Sequence, residues 1–132
     1  MTWERIVKGS HIMRHGPLWH QQPRISIGKT GVSFSPAFCR TFGIVEKIAV
    51  AVLIDRKNIR VGFKVCTEEE RERGEGFSVQ GKGDSGCYIA CPRIGEAFPA
   101  QATAKGGKSY PARLNPGERV IVADLLEEEV LA

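Results

Sequence analysis

The sequence predicts a mostly β, barrel-like fold with short helices, assembled from two related strand–strand–helix–hairpin units. Three observations lead there. Short runs of alternating apolar and polar residues recur between Gly, Asp, Asn and Pro turns, the mark of half-buried strands joined by hairpins. Helical signals are confined to brief stretches after Ser35-Pro36 and Cys91-Pro92. The order of these signals also repeats along the chain, with Phe42 six residues past Pro36 and Phe98 six past Pro92.

Taken in order, residues 1–22 mix Gly, His, Gln and Trp without periodicity and read as a flexible arm. Within it, Gly9-Ser10-His11-Ile12-Met13 looks like the remnant of a cleaved purification tag. The first unit spans residues 23–66. Arg24-Ile25-Ser26-Ile27 alternates as a strand, Lys29-Thr30-Gly31 turns, and Val32-Ser33-Phe34 is a second strand. Ser35 is placed to cap a helix with Pro36 at its first position, and Gly43 closes it in a left-handed conformation. Phe38 and Phe42, four apart, face the core together. Ile48–Ile54 and Ile59–Val65 form a hairpin around Asp55-Arg56-Lys57-Asn58, with Ile59, Val61, Phe63 and Val65 on one face and Arg60 and Lys64 on the other. The Glu-rich 67–76 stretch reads as an acidic linker.

The second, degenerate unit spans residues 77–126. Phe77–Gln80 is a strand, residues 82–86 a turn, Tyr88-Ile89-Ala90 a strand, and a short helix follows Cys91-Pro92. Tyr110–Leu114 and Arg119–Leu125 form a hairpin around Asn115-Pro116-Gly117-Glu118, and residues 127–132 are an acidic tail. The shared core is expected to contain Phe34, Phe38, Phe42, Val61, Phe63, Ile89, Phe98 and Val122.

The longest apolar run, Ile48–Ile54, falls far short of the roughly 20 residues a membrane helix needs. The N-terminus has no apolar signal-peptide core, so the expected compartment is the cytoplasm. Cys39, Cys66, Cys87 and Cys91 are then expected as reduced, buried thiols. The Cys87-x3-Cys91 spacing has no second pair, and His11, His15 and His20 lie far upstream, so neither metal nor cofactor is expected.

Two motifs suggest enzymes and fail on context. Gly83-Asp84-Ser85-Gly86 resembles the nucleophile loop of chymotrypsin-type proteases, but it falls on a hairpin turn where Asp, Ser and Gly are favoured by backbone conformation alone. No histidine base or orienting acid accompanies it. Gly107-Lys108-Ser109 lacks the first glycine of a phosphate-binding loop, since Ala102 stands there, and Tyr110-Pro111 precludes the helix that must follow. A non-enzymatic role is expected.

Charge is segmented. The chain has a formal net charge of +4, yet the 67–76 stretch and the tail are strongly acidic, leaving the two units basic. Such a body suits a polyanion, and the tail suits a protein partner.

Gly31-Val32-Ser33-Phe34-Ser35-Pro36, then Arg40-Thr41-Phe42-Gly43-Ile44-Val45-Glu46-Lys47, then the hairpin around Asp55, resembles the AbrB/MazE-like swapped-hairpin (SpoVT-AbrB type) family. The resemblance covers roughly residues 24–65. It implies two interlocked units forming one barrel, here fused in tandem as a pseudo-dimer, with a basic face that binds DNA. Arg40 falls where family members often place a DNA-contacting arginine. The chain departs from the family at Val32, where a basic residue is usual, and at Glu96, which occupies Arg40's place in the second unit.

The expected function is therefore that of a DNA-binding, transcription-regulator-like module, as a monomer or homodimer. Arg40, Lys29 and Arg24 are expected on one exposed face, with Arg56 and Lys57 as further contacts. The alternative is a protein-interaction or assembly module on the same fold.

Overall fold

A computed structural model describes residues 17–81, 86–102 and 109–126. The elements run α1 (Pro17–Gln21), β1 (Arg24–Ile27), β2 (Gly31–Phe34), α2 (Pro36–Phe42), β3 (Ala49–Asp55), β4 (Arg60–Val65) and α3 (Glu68–Glu72). They continue with β5 (Phe77–Ser78), β6 (Cys87–Ala90), α4 (Pro92–Ala97), α5 (Pro99–Ala102), β7 (Tyr110–Asn115) and β8 (Val120–Asp124).

All eight strands pair antiparallel in the order β5-β3-β4-β8-β7-β1-β2-β6. Just past β5, Gln80 exchanges two backbone hydrogen bonds of 2.8 Å with Tyr88 of β6, which all but closes the sheet into a barrel. Closure removes the sheet edges that would otherwise invite pairing with another chain.

The strand order carries the internal repeat. Exchanging β1 with β5, β2 with β6, β3 with β7 and β4 with β8 returns the same ring read in the opposite direction. Each unit's hairpin is flanked by the other unit's first strand, β1 on β7 and β5 on β3. The two units therefore share one core and interlock. The hairpin turns repeat in detail: Ile59 (φ 53) and Arg119 (φ 56) hold the same left-handed position at the end of each turn. Asp55 Oδ1 accepts from Asn58 N, and Asn115 Oδ1 accepts from Gly117 N, so an Asx side chain organises both. At the β2–β6 crossing, a Cβ on Gly31 would collide with the Ile89 carbonyl, and one on Gly86 would lie 2.5 Å from the Phe34 carbonyl. Two glycines thus make reciprocal close approaches across the pseudo-two-fold.

Helix α2 forms as its ends dictate. Ser35 Oγ accepts from Phe38 N at 3.1 Å, and Gly43 (φ 67) donates its N–H to the Cys39 carbonyl. The helix places Phe38 against Phe34 (ring centroids 4.5 Å apart), Phe42 (4.9 Å) and Phe63 (6.1 Å), and Phe34 meets Phe63 edge-on at 5.0 Å. Such pairs add about 0.5–1.5 kcal/mol each beyond area burial. In the second unit Phe98 matches Phe42, but the counterparts of the other three are smaller. Ile89 matches Phe34 across the paired glycines, Ile94 matches Phe38 counting from each proline, and Ala123 matches Phe63 along the hairpins. Large residues of one unit and small ones of the other belong to a single buried core.

Several expectations require correction. Residues 17–21 of the supposed arm form α1, whose Trp19 is buried, and α1 packs on α2; residues 1–16, including the tag-like string, lie outside the described residues. The acidic 67–76 stretch contains α3, nucleated by a capping box in which Glu70 Oε1 accepts from Thr67 N and Thr67 Oγ1 accepts from Glu70 N. Val122 is not core: β8 points Ile121 and Ala123 inward and Val122 outward, and Leu125 just after it is buried too. Val65, at the end of β4 beyond the cover of β8, is exposed. Helix α5 had no expectation at all. No helix among the described residues is long and apolar enough to cross a membrane.

Candidate nucleic-acid interface

The five expected contact residues divide four ways. Arg24 is the correction. It is 1% exposed, and it is held by bonds within the fold: Nε donates to Ser109 Oγ at 2.6 Å and Nη2 to the Ser109 carbonyl at 2.8 Å. Its backbone N–H donates to Ser35 Oγ at 3.0 Å. Alternation suggests an outward Arg24, but β7 pairs beside β1 and brings Ser109, just before it, onto the guanidinium. The residue joins the first unit to the second and contributes nothing to a surface.

Lys29 is exposed on the turn between β1 and β2. That turn is drawn onto the second unit, since Thr30 O accepts from Cys91 N at 3.1 Å and Tyr88 Oη bonds Thr30 Oγ1 at 2.8 Å. A Cβ on Gly95 would lie 3.6 Å from Lys29 Cα, so Lys29 rests against α4. Arg40 is exposed on α2 instead, with Nη2 donating to the His20 carbonyl of α1 at 3.1 Å. The structure therefore gives Lys29 and Arg40 to different helices. Glu96, five past Cys91 as Arg40 is five past Ser35, is exposed on α4.

Arg56 and Lys57 stand exposed at the tip of the β3–β4 hairpin. Asp55 at its base accepts from Asn58 N, from Asn58 Nδ2 at 2.8 Å and from Arg60 Nη2 at 2.8 Å. The Asn58 bonds first, and then Arg60, hold the Asp55 carboxyl well below the usual carboxylate range. The carboxylate nearest the tip is thus committed to shaping the turn.

Sequence reasoning missed a second grouping of cations. Lys64 and Arg119 line one cavity of about 440 Å³ with Thr41, Phe42, Val65 and Leu114, beside the C-terminal turn of α2. The alternation of β4 placed Lys64 outward, but only the strand order brings the second hairpin's Arg119 to it.

All four cysteines are buried as free thiols. Burial pushes the Cys39 thiol up to about 12, and neighbouring Cys87 adds to the effect, so it stays protonated and unreactive. Among the described residues no group of three His, Cys, Asp or Glu could hold a metal ion. Ser85 and its turn lie outside the described residues, as do residues 103–108. Ser109 is committed to Arg24. Comparison with protein-family models, curated proteins and solved structures found no match.

Proposed function

We propose that this chain is a non-enzymatic DNA-binding module, transcription-regulator-like, of the AbrB/MazE-like swapped-hairpin kind. The observation that carries the reading is the set of exposed cations Lys29, Arg40, Arg56 and Lys57, with which no carboxylate pairs among the described residues. Surface cations without carboxylate partners in a chain of net charge +4 suit a polyanion. The interlocked strand ring supports it further, because one chain builds from two units what the resemblance implies two chains would build.

Anisotropy titration of a labelled DNA duplex at low and moderate salt tests it. Affinity falls with salt at a log–log slope of about −0.9 per phosphate neutralised. Arg40→Ala weakens binding and flattens that slope by about one unit. A folded protein that does not bind duplex DNA at low salt overturns the reading.

The apolar cavity beside α2 favours the second reading, a protein-interaction module. Val65 and Leu114 are large hydrophobic residues left open to solvent there, a feature of protein contacts rather than of phosphate recognition.

A further inference from the structure

The groove beside α2 has an apolar floor and a cationic rim. Phe42, Phe63, Val65, Leu114 and Ile121 supply the floor, and Lys64 and Arg119 stand at its edge. Leu114 is 52% exposed and Val65 42%. The volume of about 440 Å³ falls within the roughly 300–1,000 Å³ of ligand-sized sites. Glu70 acts on Lys64, and its carboxylate is tied to Thr67 N by the capping box. The groove asks for a short segment with apolar anchors and negative charge.

This chain carries such a segment. Leu126, at 64% the most exposed large hydrophobic residue described, leads into Glu127-Glu128-Glu129-Val130-Leu131. We propose that the groove receives residues 126–131 of a second copy of the chain. Leu126, Val130 and Leu131 would lie on Phe42, Val65 and Leu114, and the glutamates would meet Lys64 and Arg119. This deepens the protein-interaction reading and does not depend on DNA binding.

The register excludes the chain's own tail. Leu125 N donates to the Ile59 carbonyl, and Asp124 pairs with Arg60, so the chain leaves β8 beside the first hairpin's tip. Lys64 and Val65 stand at the far end of β4, about 13–17 Å away at 3.3 Å per residue. Residues 127–131, fully extended, reach only about 17 Å. Spanning that gap would leave nothing to fill the groove, whereas a neighbouring copy has no such constraint. Reciprocal exchange gives a closed two-fold dimer.

Sedimentation velocity on the full chain across a wide concentration range tests the inference. The expected result is a concentration-dependent dimer that becomes monomeric when residues 126–132 are deleted. Lys64→Glu with Arg119→Glu weakens dimerisation at least tenfold, and adding Glu127→Lys and Glu128→Lys restores it. Arg119→Gly guards against a folding artefact, since glycine accepts the left-handed backbone at that position while removing the guanidinium. A chain that is monomeric at every concentration, or a dimer that survives deletion of the tail, overturns the proposal.

Discussion

Arg24 Nε donates to Ser109 Oγ at 2.6 Å, joining residues 85 positions apart in sequence. The contact fastens the first strand of one unit to the start of the other unit's hairpin, inside the protein. Truncating Arg24 to alanine removes both bonds to Ser109 and opens a buried space. Arg24→Ala is expected to cost roughly 2–4 kcal/mol. Arg24→Lys should recover little, because an ammonium cannot reproduce the forked donation from Nε and Nη2. Denaturant unfolding measures both. A variant as stable as the parent contradicts this role.

The unequal core makes a second prediction. Ala123 occupies in the second hairpin the place Phe63 holds in the first, and Ala123 is fully buried. Ala123→Phe, which would make the units more alike, should destabilise by about 1–3 kcal/mol through overpacking. Phe63→Ala should cost about 3–5 kcal/mol. If the double exchange Ala123→Phe with Phe63→Ala restores most of the loss, the two sites share one volume. Simple addition of the two penalties means that they do not.

Acid should weaken the first hairpin through Asp55. Its folded carboxyl titrates below the ordinary value of 3.8, so its contribution is complete above that value and fades as pH falls through the folded range. The difference in thermal midpoint between the parent and Asp55→Asn is therefore constant at neutral and mildly acidic pH and shrinks in stronger acid. A difference that grows on acidification has the wrong sign for this account.

Glu96 offers a test of symmetry at the surface. It takes in α4 the place of Arg40 in α2, and both are exposed. Glu96→Arg should strengthen non-specific duplex binding and steepen its salt slope if both helices approach DNA. An unchanged slope confines the contact to the α2 side.

Local signals account for what was legible in the sequence. The Ser35 cap, the Gly43 stop and the turns at Asp55 and Asn115 each depend on residues within about four positions, so the sequence states them directly. Repetition of those signals in the same order was enough to indicate two units and a mostly β barrel. The Thr67–Glu70 capping box was equally local, but the density of glutamates made that stretch look like a linker.

The candidate surface was less legible, for a physical reason. Whether a long polar side chain is buried depends on what lies beyond its strand, and for Arg24 that neighbour is β7. Alternation could say that Arg24 lies on one side of β1, but not that Ser109 would be waiting there. In the same way Lys29 was carried to α4 while Arg40 stayed on α2, because the units interlock instead of standing side by side. The pairing of Lys64 with Arg119 around an apolar groove arose from that interlocking too. The sequence by itself determined the strands, caps and turns, whose energetics are short-range. Only the tertiary structure decided which cations reach solvent and which stand together, since that is set by contacts between residues tens of positions apart.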